Sequence, residues 1–148
     1  MIRLIQKQAI ILPNDQVTIV RYSMFGLINK ICINVIYADV ESYHNHPWDY
    51  TSIILWGRYR ETQWKDGKTS TKTYYPGSIL RRKHNQFHQI IPLGKKAITL
   101  FIRGEQKTKS NQWVYNGKVY PESKYWLMKG YTKDKMRKLF NYMKEYND

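Results

Sequence analysis

The chain has 148 residues, enough for one compact domain with its own apolar core and short for two. Its 25 Lys and Arg against 11 Asp and Glu give a net charge of +14, a field that favours anionic partners such as nucleotides, nucleic acid or acidic surfaces. A single cysteine, Cys32, excludes an intrachain disulfide and a cysteine-based zinc site, and no apolar run approaches a membrane span.

Taken in chain order, the residues describe strands and turns. Ile2 to Leu12 is expected to form an edge strand or arm closed by the turn residues Pro13-Asn14-Asp15. Its apolar stretch, Ala9 to Leu12, is too short for a signal-peptide core, so a soluble cytoplasmic protein is expected. Gln16 to Arg21 is a β-branched run, and Ile31 to Asp39 alternates as a buried strand with Cys32 as a small apolar member. Tyr50 to Trp56 is the most apolar strand, ended or bent at Gly57. Asp66-Gly67 makes a tight hairpin between Arg58 to Trp64 and Ser70 to Tyr75. Pro76-Gly77 and Pro92-Leu93-Gly94 read as further turns around Ser78 to Arg82, Gln86 to Ile91 and Ala97 to Arg103. Asn116-Gly117 joins Trp113 to Tyr115 with Lys118 to Tyr120. Strands at this spacing argue for an antiparallel barrel or double-sheet jelly roll. Met136, Leu139, Phe140 and Met143 then recur at helical spacing, so a C-terminal α-helix is predicted over 132–146, with Thr132 as N-cap.

All four histidines lie in two short stretches, His44 and His46 in one, His84 and His88 in the other. Side chains alternate along a strand, so His44 and His46 project from one face and their ring nitrogens reach a common point. Neutral imidazoles about 2.0–2.1 Å from one ion make a metal site, and a third must come from His84 or His88. His88 sits in the apolar stretch Phe87 to Ile91 and suits the role better than His84, whose basic surroundings suit a surface or a pocket rim. If the strand stays regular, Trp48, Tyr50, Ser52, Ile54 and Trp56 share the histidine face. Tyr50 is then a candidate donor to a bound group. Glu61, the one acid in the strand Arg58 to Trp64, is a candidate general base or substrate contact, or else a salt-bridge partner of Arg60 or Arg82. Arg81 and Arg82 face opposite ways, so one can enter the pocket and fork onto a carboxylate or phosphate.

His44-x-His46, Gly57, Pro76-Gly77 and His88 resemble the two consensus motifs of the cupin superfamily. The run His44-Asn45-His46-Pro47-Trp48-Asp49-Tyr50, followed by Pro76-Gly77-Ser78, Arg81-Arg82 and Phe87-His88, is similar to a group of small cupins common in bacteriophage and bacterial genomes. The resemblance implies a single cupin domain over 1–148, a double-stranded β-helix with its barrel core at about 31–104, and a divalent metal (iron, manganese, nickel or zinc) on His44, His46 and His88. The general pattern adds a glutamate three to four residues after the second histidine, where this chain has Tyr50 and Thr51. A three-histidine site similar to that of thiol dioxygenases is therefore implied, or else Asp49 stands in as the carboxylate, although a regular strand points it to the opposite face.

Two functions follow. One is a metalloenzyme, dioxygenase-like or an isomerase or hydrolase, acting on a small anionic substrate such as a nucleotide or sugar nucleotide, with Tyr50 and Glu61 as catalytic groups and Arg82, Trp48, His84 and Asp49 as substrate contacts. The other is a basic barrel, phage-encoded and acting in the host cytoplasm on a defence signal, that binds a nucleotide or nucleic acid with Trp48, Trp56 and Trp64 as stacking platforms. By analogy with cupins, a homodimer paired through sheet edges is expected. A third reading, a virion or assembly protein with a structural histidine cluster, predicts stable oligomers and no small-molecule site.

Overall fold

The computed structural model describes residues 5–11, 17–24, 30–38 and 42–132. The strands are β1 (Ile5–Ile11), β2 (Val17–Met24), β3 (Ile31–Ile36), β4 (Trp48–Lys65), β5 (Lys68–Tyr74), β6 (Ile79–Arg82), β7 (Phe87–Gln106), β8 (Gln112–Tyr115) and β9 (Lys118–Pro121), followed by the short helix α1 (Glu122–Met128). One sheet runs β1-β2-β3-β7-β4-β5 with β6 also paired to β4, and β8-β9 forms a hairpin of its own. The ladders are antiparallel throughout.

The Asp66-Gly67 and Asn116-Gly117 hairpins form where the sequence predicts them, with both residues of each pair at positive φ. Pro92-Leu93-Gly94 departs from expectation. It makes no reversal: Pro92 pairs with Tyr59 and Leu93 with Arg58, inside a ladder that β7 and β4 share over nearly their whole lengths. Its turn chemistry is spent on a bend. Gly94 has φ +104° and Gly57, on the partner strand, φ +72°, and the register shifts on both sides of Trp56.

The bend reverses which residues point inward. Before Gly57 the buried positions of β4 are Tyr50, Ser52 and Ile54; after it they are Tyr59 and Glu61. Strand β7 changes phase likewise, from His88 to Ala97, Thr99 and Phe101. Trp56, expected inside, is 54% exposed because the irregularity begins one step before it. Across the bend the two halves of the sheet close on each other in jelly-roll fashion: Leu80 and Ile54 from one side pack with Tyr59 from the other, together with Ile36 and Ala97.

The helix predicted over 132–146 lies, beyond Thr132, outside the described residues. The described helix is α1, which buries Tyr125 and Trp126 against Trp113 of β8, at ring-centroid distances of 5.0 and 5.2 Å. Seven residues are too few to display a helical period, and only tertiary packing holds so short a helix in place. Among the described residues no helix is long and apolar enough to cross a membrane.

Candidate metal centre

The histidines meet because the backbone pairs them. His44 lies in the connection between β3 and β4, where its N–H donates to the His88 carbonyl at 3.0 Å and its carbonyl accepts from the His88 N–H at 2.9 Å. Residues that exchange both bonds stand directly opposite, with side chains on one face. His46, two residues on, returns to that face. The donor atoms of His44, His46 and His88 all lie within 4.8 Å of one another. His46 Nε2 and His88 Nε2 are 3.0 Å apart. Two imidazoles on a shared ion at about 2.1 Å stand about 3.0–3.4 Å apart at octahedral or tetrahedral angles, so the spacing matches one edge of a coordination shell.

Hydrogen bonds behind the rings select the tautomers. His44 Nδ1 donates to the Ser42 carbonyl at 3.2 Å, and His88 Nδ1 donates to Glu61 Oε1 at 2.7 Å. Both Nε2 lone pairs are thereby left for a ligand. Burial, with the neighbouring imidazole of His88, lowers the His44 pKa to about 3. Burial lowers His46 well below the ordinary histidine value too, assisted by His44, His88 and Arg21. Neutral rings are the form that ligates metal.

Glu61 is 2% exposed and both its oxygens are engaged, one by His88 and Arg82 Nε, the other by an Arg82 terminal nitrogen. Burial alone would raise its pKa, but the hydrogen bonds and charges of His88 and Arg82 outweigh this and hold it at about 2. Glu61 therefore positions His88 and holds Arg82, an arrangement that engages both of its oxygens. The ion pair with Arg82 is one of the two alternatives the sequence left open. The Arg82 guanidinium is engaged by Glu61, by Tyr74 Oη at 3.1 Å and by the Arg81 carbonyl at 3.0 Å.

Tyr50 is buried and its hydroxyl lies 3.3 and 3.4 Å from the two nitrogens of His88. A bond along either lone pair would leave the other nitrogen much farther away, so the hydroxyl rests against the ring and remains able to donate elsewhere. Burial, with the charge of Glu61, keeps it a neutral phenol. Trp48 stacks near His46 at 6.3 Å between centroids, and its buried Nε1 has no acceptor.

Asp49 and His84 are not brought to the cluster. Asp49 accepts from the His84 N–H at 2.8 Å, His84 Nδ1 at 3.1 Å and Lys83 Nζ at 3.3 Å, tying the β6–β7 connection to the start of β4. It sits at the register shift between Trp48 and Tyr50, and its carboxylate is spent on His84 and Lys83 and not on the histidine cluster. The His84 N–H bond is the main cause that lowers the Asp49 pKa from 3.8 to about 2. A depressed carboxylate contributes order above its ordinary pKa and loses it as pH falls. Acid titration followed by NMR should therefore show the His84 amide moving with a midpoint near 2, and a midpoint near 3.8 would contradict the contact.

The sequence reading overlooked the floor of the site. Trp113 stacks on His44 at 4.7 Å, while Asn45 and Gln112 exchange two side-chain bonds, Gln112 N to Asn45 Oδ1 at 2.7 Å and Asn45 Nδ2 to Gln112 Oε1 at 3.1 Å. The one available signal was an aromatic hairpin, Trp113 to Tyr120, outside the expected barrel core.

No protein-family model matches the sequence, and no curated protein matches it at a significant level. Solved structures do match in shape. Fe(II) HppE, solved in complex with substrate, superposes with a TM-score of 0.56 at 7% identity, over 66% of this chain and 55% of that one. Vicilin of hazelnut, Corylus avellana, gives 0.55 at 9% identity over 74% and 34%. The Drosophila melanogaster CENP-C cupin domain gives 0.49 at 12% identity over 58% and 69%. The fold is the cupin-type antiparallel barrel shared with HppE and vicilin. The match spans just over half of HppE and a third of vicilin, and the shared feature is the double-stranded β-helix.

Proposed function

We propose that this cupin-fold chain is a metalloprotein in which Nε2 of His44, His46 and His88 hold one divalent ion, and that it acts as an enzyme on a small anionic substrate. One observation carries the reading: with Nδ1 of His44 and of His88 each spent on an oxygen acceptor, one nitrogen of each of the three rings lies within 4.8 Å of the others, His46 Nε2 and His88 Nε2 at 3.0 Å. Such an ion supplies Lewis acidity or, as iron(II), oxygen chemistry, and three protein ligands leave positions open. The likeness to an Fe(II) protein solved with substrate supports an iron-competent pocket. Around it the chain itself provides a neutral phenol, Tyr50, as donor and a buried carboxylate, Glu61, that fixes His88.

Cobalt(II) substitution tests whether the site is open. The visible bands of the cobalt protein should shift on adding azide, and should vanish in the His46→Ala variant. Bands that azide leaves unchanged at saturating concentration would mean a closed, structural ion and would contradict an enzyme.

A second reading draws on a groove of about 500 Å³ on another part of the surface, lined among others by Trp64, Phe87, Lys65, Lys68 and Lys83. Trp64 and Phe87 meet edge to face at 5.7 Å, and the lysines suit the phosphates of a nucleotide or single strand. Metal-independent oligonucleotide binding that weakens steeply with salt would favour this reading.

A further inference from the structure

The interior that holds the histidines also holds three arginines, and among the described residues one of them has a carboxylate partner. Arg82 has Glu61. Arg21 and Arg103 have no carboxylate within ion-pairing distance among the described residues.

Their placement follows from the ladders. Arg21 of β2 stands opposite Asn34 of β3 and donates through Nε to Asn34 Oδ1 at 2.9 Å. Its guanidinium carbon is 5.3 Å from the centre of Phe101, which in turn stacks on Tyr50 at 4.8 Å. Arg103 of β7 stands opposite Tyr50 of β4, and its guanidinium carbon is 4.5 Å from the centre of Trp48. Tyr50 and Trp48 both contact His46, with centroids at 5.1 and 6.3 Å. His46 thus meets an aromatic layer, Trp48, Tyr50 and Phe101, that carries Arg103 against Trp48 and Arg21 against Phe101.

Among the described residues this layer has donors in excess of acceptors: the Trp48 indole N–H is buried without a partner, and Asn34 Oδ1 is the single side-chain acceptor that either arginine has found. Burial lowers the Arg21 pKa; the Cys32 side chain opposes this and the charge of Arg103 adds to it. A partly buried guanidinium without a counter-charge is costly unless an anion joins it. Stacking on aromatic faces is also how arginine is held flat for recognition of an oxyanion.

We propose that Arg21 and Arg103 form the oxyanion end of the ligand pocket, receiving a carboxylate or phosphoryl group of a molecule whose other end reaches the three histidines. The inference rests on the reading of this site as one for small anionic ligands, and it names the residues that recognise the charge. It also places the anion contact away from Arg82.

Inorganic phosphate and malonate, titrated by calorimetry at fixed salt into protein stripped over a chelating resin, test it and separate the two sources of charge. The wild type should bind at least one of them saturably, with a change in tryptophan fluorescence. Arg103→Gln and Arg21→Gln should each weaken that binding about tenfold or more. Arg21 is tied to Asn34 by a side-chain bond, so the Arg103 variant serves if Arg21→Gln fails to fold. A Lys65→Gln, Lys68→Gln, Lys83→Gln triple variant should bind as the wild type does. Absence of saturable binding, affinity unchanged in Arg103→Gln, or loss in the lysine variant instead would overturn the proposal. Metal content is read separately: anion binding through Arg103 in a chain that takes up no metal sinks only the metal reading, and metal uptake with Arg103-independent anion binding sinks only this one.

Discussion

Glu61→Ala should lose about 3–5 kcal/mol of stability, the cost of breaking a buried ion pair from one side. In a chain of this size that is roughly a 10 °C fall in melting temperature. The loss has two parts: the Arg82 side chain, 12% exposed, keeps its charge without a carboxylate, and His88 Nδ1–H loses its acceptor. The second part reaches the metal. With its ring no longer fixed, His88 should hold the ion about 10–100-fold more weakly. Glu61→Gln separates the parts, because its amide oxygen still accepts from His88 Nδ1 while its charge is gone. Metal affinity in Glu61→Gln should lie closer to wild type than in Glu61→Ala, although both are less stable. Calorimetric melting with a metal titration checks this, and a Glu61→Ala protein that melts within a degree or two of wild type would contradict the buried pair.

Gly57→Ala should be the most damaging glycine-to-alanine change among the described residues. A Cβ at Gly57 would stand 2.5 Å from the Lys96 carbonyl oxygen and 3.1 Å from Ala97 Cα, both backbone atoms that cannot turn aside. Positive φ alone costs an alanine about 1–2 kcal/mol, as it should at Gly67, where φ is +79° and a Cβ would meet nothing. The clash adds to that at Gly57, for about 3 kcal/mol or more. Urea denaturation of the two variants side by side gives the comparison. Equal losses would mean that the bend relaxes freely, and that the inward turn of Glu61 does not depend on it.

That bend also marks how far the sequence could be read. The hairpins at Asp66-Gly67 and Asn116-Gly117 were legible because their turn chemistry has one main use. Pro92-Leu93-Gly94 has two, a reversal or a bend, and only the partner strand decides: Gly57 lies across the ladder with positive φ, so both strands bend together and continue. Alternation places Tyr50 inside but carries Trp56 inside as well, since period-two reasoning cannot anticipate a change of phase. The three clustered histidines were legible from His44-x-His46 and the apolar setting of His88. The partners behind them were less so. Glu61 stood out as a lone acid, but its two engagements depend on a strand register. Trp113 and the Asn45–Gln112 exchange come from a hairpin more than sixty residues from His44, joined to it by backbone pairing that no local pattern records.

Metal content of untagged protein, by mass spectrometry after exposure to iron, manganese, nickel and zinc, tests the central claim most directly when set beside a His44→Ala, His46→Ala double variant. The clustering of the three imidazoles predicts one ion per wild-type chain and none in a variant that still folds. A wild type that stays empty of all four metals, or a variant that retains the ion, would contradict it.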